Sequence, residues 1–423
     1  MNIYIYEDSK HVQFFPLTLL RPVYHLRSGI LPLCQKISRQ FEHDTVGFVT
    51  RDQISSLVAQ SYREHPVNII KKDEGPVLFL NGRIRDIGDM VKLVTEARFS
   101  TVFRENETGD AVAVLLLPDN LSSYPPVATQ ADYLELYQRQ KNDIMEFDTT
   151  ATLYNYNWEL MADIKPSIVD DVAVLRTSLP APSNVKVHDG AFLVNEDDIY
   201  IGHDVEILPG AVLDASSGPI YIESNVRIEP HAALVGPCFI GAGTTVLAGK
   251  ISSSSIGHTC RVGGEVEASI FQSYVNKYHA GFIGHSYVGS WVNFGAMTTN
   301  SDLKNNYSDI KLTVSGQALD SGSMKVGSFI GDHTKFGIGT LLNTGITIGV
   351  SCNLFGGSLI SDREVPSFSW GQTGSYDQYR FDKAEETACI ACSRRNVTLS
   401  DVETAVLKAV FDGTVSAEGI MDF

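Results

Sequence analysis

The chain has 423 residues, 43% of them hydrophobic, and its mean hydropathy is −0.02. A chain of this length exceeds one ordinary hydrophobic core, so two or three domains are expected. The formal net charge of −17 argues against nucleic acid or an anionic membrane as the main partner, because either polyanion would be repelled. A local basic pocket could still bind a small anion.

Cysteine usage and the chain start bear on where the protein works. Six irregularly spaced cysteines indicate a reducing compartment. The start MNIYIYEDS lacks the basic and apolar parts of a signal peptide, and no apolar run reaches the roughly 20 residues of a membrane span. We therefore expect a cytoplasmic protein without a membrane partner.

Residues 1–165 alternate short apolar strands with segments that have the spacing of amphipathic helices. This alternation predicts a Rossmann-like α/β domain that binds ligands at the carboxyl ends of its strands. Strands are predicted in MNIYIYE, HDTVGFVT, PVLFLNGRI, STVFRE and AVAVLLLP, and helices in GILPLCQKISRQFE and DIGDMVKLVTEAR.

Residues 166–371 are predicted to form a left-handed parallel β-helix. From about residue 185, glycine is dense and aliphatic residues recur every six positions, as expected for a hexapeptide repeat whose aliphatic side chains point to the helix axis. One ladder is Ile222, Ile228, Leu234, Ile240 and Val246; another is Ile330, Phe336, Leu342, Ile348 and Leu354; Phe282, Val288 and Phe294 lie between them. Residues 372–423 predict a helical extension of two helices, with a Thr-Leu-Ser-Asp cap between them.

His279 and His285 lie six residues apart in NKYHAGFIGHSYVG, so a β-helix would present both on rigid, neighbouring strands. A histidine held in a cleft can take a proton from an amine that attacks a thioester. A surface or hydrogen-bonding histidine is the alternative, and spacing alone does not choose between them.

The segment EVEASIFQSYVNKYHAGFIGHSYVGSWVNFGAMTTNSDLKNNY resembles the acetyltransferase half of the bifunctional UDP-N-acetylglucosamine diphosphorylase/glucosamine-1-phosphate N-acetyltransferases, especially an alternate branch of that family. The runs MKVGSFIGDHTKFGIGTLLNTGITIGVSCNLFGG, VPSFSWG and, in the first domain, FFPLTLLRPVYHLRSGILPLCQKI add to the match. The resemblance covers nearly the whole chain. It implies a homotrimer with acyl-transfer sites between subunits, acetyl-CoA as acetyl donor, and Mg²⁺ for nucleotidyl transfer.

The resemblance also implies roles for residues of the repeat. His279 matches the catalytic base, Asn293 a contact to the amino sugar and Ala296 a residue of the acetyl-CoA site. His285 is the second candidate for the base, or a structural or substrate-orienting residue. Lys277 is a possible phosphate contact, although a solvated lysine is equally compatible with the sequence.

The loop that closes on the sugar phosphate in the family corresponds here to DLKNNY, with Asn306 and Tyr307. Because the loop aligns with a shift, Lys304 and Lys311 compete for the phosphate contact. Asp332 and Gly356 replace a serine and an alanine of the better-known branch at the coenzyme A site. The details of coenzyme binding are therefore open.

In the first domain, the glycine-rich phosphate loop of the better-known branch is missing. Arg21, Arg27 and Lys36 are the cations available for phosphate binding, and pairing with carboxylates such as Glu7 or Asp8 is the alternative. Asn81, in FLNGRI, lies where relatives have a metal-binding Gly-Asp. Asparagine is a weaker Mg²⁺ ligand than aspartate, so Asp8 or Asp119 is the alternative and the metal ligands stay unassigned.

These observations predict a two-activity enzyme. The β-helix would acetylate glucosamine 1-phosphate from acetyl-CoA, and the α/β domain would join the product to UTP, giving UDP-N-acetylglucosamine and pyrophosphate. One alternative is a nucleotidyltransferase for another sugar 1-phosphate with a different acyl acceptor. The other is a non-catalytic trimeric ligand-binding scaffold.

Overall fold

A mixed six-stranded sheet forms the centre of the N-terminal domain in the computed structural model, which describes residues 1–41, 46–72, 75–177, 182–413 and 420–423. Across the sheet the strands are Val46–Val49, Asn2–Tyr6, Val77–Asn81, Ala111–Leu116, Thr101–Glu105 and Met145–Thr149. The first three are mutually parallel, Ala111–Leu116 is antiparallel to both of its neighbours, and the last two are parallel to each other. All five strands predicted from sequence are confirmed.

Helices cover this sheet, and the two helices predicted from sequence are among them. The helices before the repeat are α1 (Leu33–Ser38), α2 (Asp52–Ser61), α3 (Met90–Glu96), α4 (Pro118–Leu121), α5 (Gln130–Gln140), α6 (Asn157–Ala162) and α7 (Ile164–Leu175). The 3₁₀ turns are Ser9–Phe14, Val23–His25 and Lys141–Asp143, and the small strand pairs are Ile69–Lys71 with Val127–Thr129 and Ile84–Asp86 with Thr152–Leu153. The predicted domain boundary at residue 165 falls inside α7, where Ile168 and Val172 belong to the N-terminal core.

The second half of the chain is the predicted parallel β-helix. Its strands pair in parallel with a typical offset of 17 or 18 residues, as Ile330 does with Ile348, which is close to three hexapeptides per coil. One sheet contains Lys186–Val187, Glu206–Ile207, Arg227–Ile228, Thr245–Ser252, Arg261–Glu267, Asn276–Lys277, Asn293–Phe294, Lys335–Phe336, Asn353–Leu354, Ser369–Gln372 and Ser375–Gln378, with Phe192–Val194, Val212–Asp214, Ala232–Val235 and Phe282–Gly284 alongside.

Two further sheets complete the coils. The second contains Ile199–Ile201, Ile220–Ile222, Cys238–Ile240, Ser255–Ile256, Ile270–Phe271, Tyr287–Val288, Ser328–Ile330, Ile346–Ile348 and Glu364–Val365; the third contains Thr299–Asn300, Leu341–Leu342 and Leu359–Ile360. A 3₁₀ turn, Glu196–Asp198, lies in the first coils, and the hairpin of Lys311–Val314 and Gln317–Asp320 projects from the repeat. Two helices follow, α8 (Phe381–Ser393) and α9 (Asp401–Phe411), and Ser400 caps α9 as predicted.

The predicted hexapeptide ladders lie inside the β-helix, with one correction. The residues of both long ladders, and Val288 and Phe294, are buried, but Phe282 is only half-buried and pairs with Glu265. Ile283, one residue later, is the interior residue and pairs with Val266. The strict count of six from Val288 fails here because the strand Phe282–Gly284 is shifted by one residue, and in a strand such a shift exchanges inside for outside.

The two domains are in contact over an extended surface. Tyr287 Oη accepts from Arg27 N (2.8 Å), and Ser255 Oγ donates to Gly29 O (2.5 Å). Phe239 and Phe329 of the repeat belong to the same buried cluster as the N-terminal core. Among the described residues, no helix is long and apolar enough to cross a bilayer.

Candidate functional site

His279 lies at one corner of the β-helix, next to two other residues predicted to bind substrates. It follows the strand Asn276–Lys277, and its side chain is exposed. On the next coil lie Asn293, whose Oδ1 accepts from Asn276 Nδ2 (2.8 Å), and Ala296. Backbone bonds stack these corners, because Met297 N donates to Ala280 O (2.8 Å). The structure thus brings His279, Asn293 and Ala296 together.

Lys277 lies inside the coil and not at its surface. It pairs with Val262, which is an interior residue of the preceding coil, and it is 1% exposed. Its Nζ donates to Gly263 O (2.7 Å) and His279 O (3.1 Å), and burial lowers the pKa of the amine to about 8. In this position Lys277 holds the backbone of the His279 turn, and its amine is not presented to a ligand outside the coil.

His285 has a carboxylate partner. His285 Nδ1 donates to Asp302 Oδ2 (2.7 Å), which leaves Nε2 as the acceptor nitrogen of a neutral ring. Burial raises the pKa of Asp302, but the hydrogen bond and the charge of His285, together with the charge of Lys325, outweigh burial, and the pKa is lowered. His285 has φ of +47° and lines a cavity of about 440 Å³ that Trp158 and Lys165 of the N-terminal domain also line. Asp302 could not be identified as this partner from the sequence, because it lies 17 residues, about one coil, further along the chain.

The predicted sugar-phosphate loop is exposed and is held mainly by bonds within itself. Lys304 Nζ donates to Asp309 O and to Ser308 Oγ (3.4 Å), and Asn306 Oδ1 accepts from Ser308 N (3.2 Å). Tyr307 is 67% exposed and has φ of +56°. These side chains lie at the surface, where a ligand can reach them.

The two remaining coenzyme positions lie apart. Asp332 is buried, and its Oδ1 accepts from Arg21 and from Ser290 N (2.7 Å), so its carboxylate is engaged between the domains. Gly356 is exposed, with φ of +111°, and lies beside Gln372. The structure does not bring Asp332 to the surface on which Ala296 and Gly356 lie.

The three cations predicted for the nucleotide site do not meet at one point. Arg21 faces Asp332 and lines a cavity of about 220 Å³ between the domains. Arg27 packs over the Phe239 ring of the β-helix, at 6.0 Å from the ring centroid. Lys36 pairs with Asp171 (3.0 Å) and lines a separate cavity of about 540 Å³.

Ion pairs fill the carboxyl edge of the central sheet. Glu7, directly after the first strand, accepts two bonds from Arg51 Nη1 (2.8 and 2.7 Å), and both side chains are fully buried. Asp8 pairs with Arg83 (2.6 Å), and Asn81 Nδ2 donates to Asp8 Oδ2 (2.9 Å). Glu7 and Asp8 therefore pair with Arg51 and Arg83. The alternative of carboxylate pairing is realised for Arg21 and Lys36, but with Asp332 and Asp171.

The same residues test the predicted Mg²⁺ site. Asp8 Oδ1 and Oδ2 both accept from Arg83, and Asp110 accepts from Arg83 Nη2 (2.8 Å) and Lys10 Nζ (2.5 Å). Asn81 Oδ1 accepts from Arg83 N (2.9 Å). Among the described residues, no three His, Cys, Asp or Glu side chains lie together so that they could hold a metal ion. The donor set at this edge therefore does not fit a resident Mg²⁺ ion, which needs free oxygen ligands.

Comparison with known proteins supports the resemblance noted in the sequence. Residues 3–178 match the family model described as sugar nucleotidyl transferase. A bifunctional sugar-1-phosphate nucleotidylyltransferase/acetyltransferase of Sulfurisphaera tokodaii is 27% identical over 204 residues, covering 48% of this chain and 44% of that relative. A bifunctional protein GlmU of Synechococcus elongatus is 25% identical over 272 residues, covering 59% of this chain and 55% of the relative. The chain thus spans about half the length of the curated relatives it matches.

One solved structure that matches is a UDP-N-acetylglucosamine acyltransferase from Arabidopsis. It covers 56% of this chain and 100% of its own, with 12% identity and a TM-score of 0.25. Because that score is low, the β-helix assignment rests on the strand pairing within this chain. The predicted resemblance and the predicted fold class are confirmed.

Proposed function

We propose that the protein is a sugar-1-phosphate nucleotidyltransferase and acetyltransferase, which acetylates glucosamine 1-phosphate and joins N-acetylglucosamine 1-phosphate to UTP. The observation that carries the acetyltransferase half is the corner where exposed His279 lies beside Asn293 and Ala296 on the next coil. The nucleotidyltransferase half is supported by the family match of residues 3–178. The predicted cytoplasmic location stays a prediction.

The acetyl transfer follows from the chemistry of an exposed imidazole. The substrate amine attacks the thioester carbonyl carbon of acetyl-CoA, a carbon–nitrogen bond forms, and the carbon–sulfur bond breaks. His279 takes the proton that the amine loses and returns it to the departing coenzyme A thiolate. Lys277 acts through His279: its two bonds to backbone oxygens, at Gly263 and His279, fix the turn that carries the imidazole.

An exposed apolar ridge supports the predicted homotrimer. The corner below His279 carries Met297, Ile338 and Phe355, and Leu341 and Leu359 lie beside it on the third sheet; all five are at least 38% exposed. Exposed apolar residues that cluster in this way are typical of a surface buried by another chain. A neighbouring subunit on this ridge would enclose His279 in a cleft.

A second function is favoured by the carboxyl edge of the N-terminal sheet. There the buried pairs Glu7–Arg51 and Asp8–Arg83 occupy the place where a nucleotidyltransferase needs groups free for its ligands. On this alternative the protein is an acetyltransferase whose N-terminal domain is structural. The carboxylates at this edge are held by Arg51 and Arg83 and do not fit a metal ion.

Two assays separate these functions. The first measures coenzyme A release with acetyl-CoA and glucosamine 1-phosphate. The second measures pyrophosphate release with UTP and N-acetylglucosamine 1-phosphate in the presence of Mg²⁺. The bifunctional proposal expects both products, and coenzyme A release alone would support the structural role of the first domain. Neither product, across a panel of sugar phosphates, would contradict both and support a binding scaffold.

Replacement of His279 by alanine tests the base. We expect the rate of coenzyme A release to fall about a hundredfold or more, because general-base catalysis contributes this much, and we expect pyrophosphate release to be unchanged. His231→Ala, which removes another exposed histidine of the β-helix, is the matched control. If His285→Ala and Asp302→Asn both abolish acetyl transfer while His279→Ala does not, the His285–Asp302 pair supplies the base instead.

A further inference from the structure

A basic cavity of about 350 Å³ lies between the β-helix and helix α8, and Asn293 of the candidate acetyl-transfer site is one of its lining residues. The wall formed by the coils contains Arg261, Asn276, Asn293 and Lys335, and these four occupy one outward-facing row of paired strands. The opposite wall contains Thr387 and Ile390 of α8 and, just beyond the helix, Arg394 and Arg395. Residues far apart in the chain thus converge on one space.

The charge of this cavity is opposite to that of the whole protein. Among the residues that the structure describes, its lining contains four cationic side chains and no carboxylate, although the chain carries a net charge of −17. In the described ranges, the guanidinium groups of Arg261, Arg394 and Arg395 take part in none of the ion pairs or side-chain hydrogen bonds, whereas many other arginines are paired. Burial, and then repulsion from Arg261 and Arg394, lowers the pKa of Arg395. Like charges held together in this way favour a bound anion.

Lys335 places a fourth cation at the floor of the cavity. Its Nζ donates to Trp291 O (2.6 Å), which fixes the amine but leaves its charge without a carboxylate partner in the lining. Burial lowers the pKa of this amine to about 8. Trp291 stacks on Tyr274 with 4.0 Å between ring centroids, so one side of the cavity is aromatic. The cavity therefore combines a cationic floor with an apolar wall.

We propose that this cavity binds the phosphate group of a small organic phosphate, held by Arg261, Lys335, Arg394 and Arg395. One guanidinium group can bind two phosphate oxygens at once. Three guanidinium groups and one amine carry enough positive charge to neutralise a diphosphate or two phosphate monoesters. The aromatic wall of Tyr274 and Trp291 accepts the uncharged part of the ligand. The cations come from the coils and from the segment after α8, so the site exists only in the folded, full-length chain.

The position of the cavity relative to His279 limits the source of the phosphate. Asn276 lines the cavity and precedes His279 by three residues, which is a distance of roughly 10 Å along an extended chain. A molecule of nucleotide or sugar-phosphate size reaches across that distance. The phosphate could thus belong to a sugar 1-phosphate or to coenzyme A, and the proposal does not depend on catalysis by His279.

Binding measured by isothermal titration calorimetry tests the proposal without any turnover. The probes are inorganic pyrophosphate, glucosamine 1-phosphate, coenzyme A and dephospho-coenzyme A, each at low and at physiological salt. The variant is Arg394→Gln/Arg395→Gln. The matched control, Arg63→Gln/Arg98→Gln, removes the same charge at two exposed arginines of the N-terminal domain. Arg261→Gln tests the opposite wall.

We expect at least one probe to bind the wild type at one site per chain. Its affinity should fall tenfold or more in Arg394→Gln/Arg395→Gln and in Arg261→Gln, and less than twofold in the control. If the variants lose more affinity for coenzyme A than for dephospho-coenzyme A, the ligand is the 3′-phosphate of the coenzyme. If they lose affinity for glucosamine 1-phosphate, the ligand is the phosphate of the sugar. Absence of binding by every probe, or equal weakening in the cavity variant and the control, would overturn the proposal.

Discussion

Lys277 occupies a place that the adjacent coils fill with valine and phenylalanine. An amine buried in such an apolar interior is costly unless it is hydrogen-bonded, and here two carbonyl oxygens accept from it. One of these carbonyls belongs to His279, so the residue that departs most from the repeat supports the candidate base. At the residue scale, the departure from the hexapeptide pattern coincides with the candidate site.

The pH dependence of stability tests this position of Lys277. The pKa of about 8 in the folded state lies below the ordinary value of about 10.4, so between these pH values the unfolded state binds more protons and stability rises with pH. Between pH 8 and 9 this gain is about 1 kcal/mol. In Lys277→Met we expect the gain from this site to vanish, which calorimetric unfolding of both proteins at each pH would show. An identical pH dependence in the two proteins would contradict the buried amine.

The sequence predicted part of the candidate site. The positions of His279, Asn293 and Ala296 follow from the motif alone, and the repeat places them on neighbouring coils. The burial of Lys277 could not be read from the repeat, because counting in sixes from Val288 places Asn276 inside, and only the one-residue shift at Ile283 brings Lys277 into the interior. Arg394 and Arg395 could not be found, because nothing local shows that the segment after α8 packs against the coils.

At the scale of elements, the coils of the β-helix require glycine where one rung lies directly on the next. A Cβ added at Gly257 would lie 1.4 Å from the carbonyl oxygen of Gln272. At Gly339, no atom of the described residues other than its chain neighbours lies within 4 Å of an added Cβ. The backbone of the neighbouring rung cannot move away without breaking its own ladder of hydrogen bonds. Glycine is therefore required at position 257 by the contact between rungs, whereas at position 339 only the φ of +68° favours it.

Alanine at these two glycines should have very different effects. We expect Gly257→Ala to lower the free energy of unfolding by more than about 4 kcal/mol, the range reached by severe steric conflicts, or to prevent folding. Gly339→Ala should cost about 1–2 kcal/mol, which is the penalty of a left-handed conformation for alanine. Thermal unfolding followed by circular dichroism measures both. Similar melting temperatures for the two variants would show that the neighbouring rung can move away from residue 257, which would contradict this prediction.

At the scale of the whole molecule, the segment after the first strand joins the two domains. Arg21 Nη2 donates to Asp332 Oδ1 and to Ser290 Oγ (3.3 Å) of the β-helix, and Arg27 N donates to Tyr287 Oη. The chain end returns to the first domain, where the Phe423 ring lies 5.1 Å from that of Tyr6. The domains are therefore expected to unfold as one cooperative unit.

Replacement of Arg21 tests this coupling. Arg21→Ala leaves the buried carboxylate of Asp332 without its cation, which costs about 3 kcal/mol for a buried pair. We expect the calorimetric transition to broaden or split into two. The control Arg139→Ala, which removes an exposed pair with Glu135 within α5, should cost less than about 1 kcal/mol. If Arg21→Ala leaves stability unchanged and instead impairs pyrophosphate release, Arg21 binds substrate as the sequence predicted.

Much of the fold could be predicted from sequence, because the six-residue ladder of the β-helix and the apolar strands of the first domain are both local patterns. The six-residue ladder needs no knowledge of distant contacts, and strands such as Val77–Asn81 are continuous apolar runs. The arrangement of the domains was not predictable in this way. The sequence does not distinguish the roles of Arg21, Arg27 and Lys36. In the folded chain, the first two contact the β-helix and Lys36 pairs with Asp171.

The stacked ring of Trp291 gives the protein an internal optical reporter. It lines both the 350 Å³ cavity beside α8 and the 220 Å³ cavity between the domains, with Tyr274 on one side and His333 on the other. Only two other tryptophans are present, and Trp158 and Trp370 can be changed to phenylalanine. The indole emission that remains will respond to an anion arriving on one side and to domain separation on the other, so one fluorescence signal follows both events.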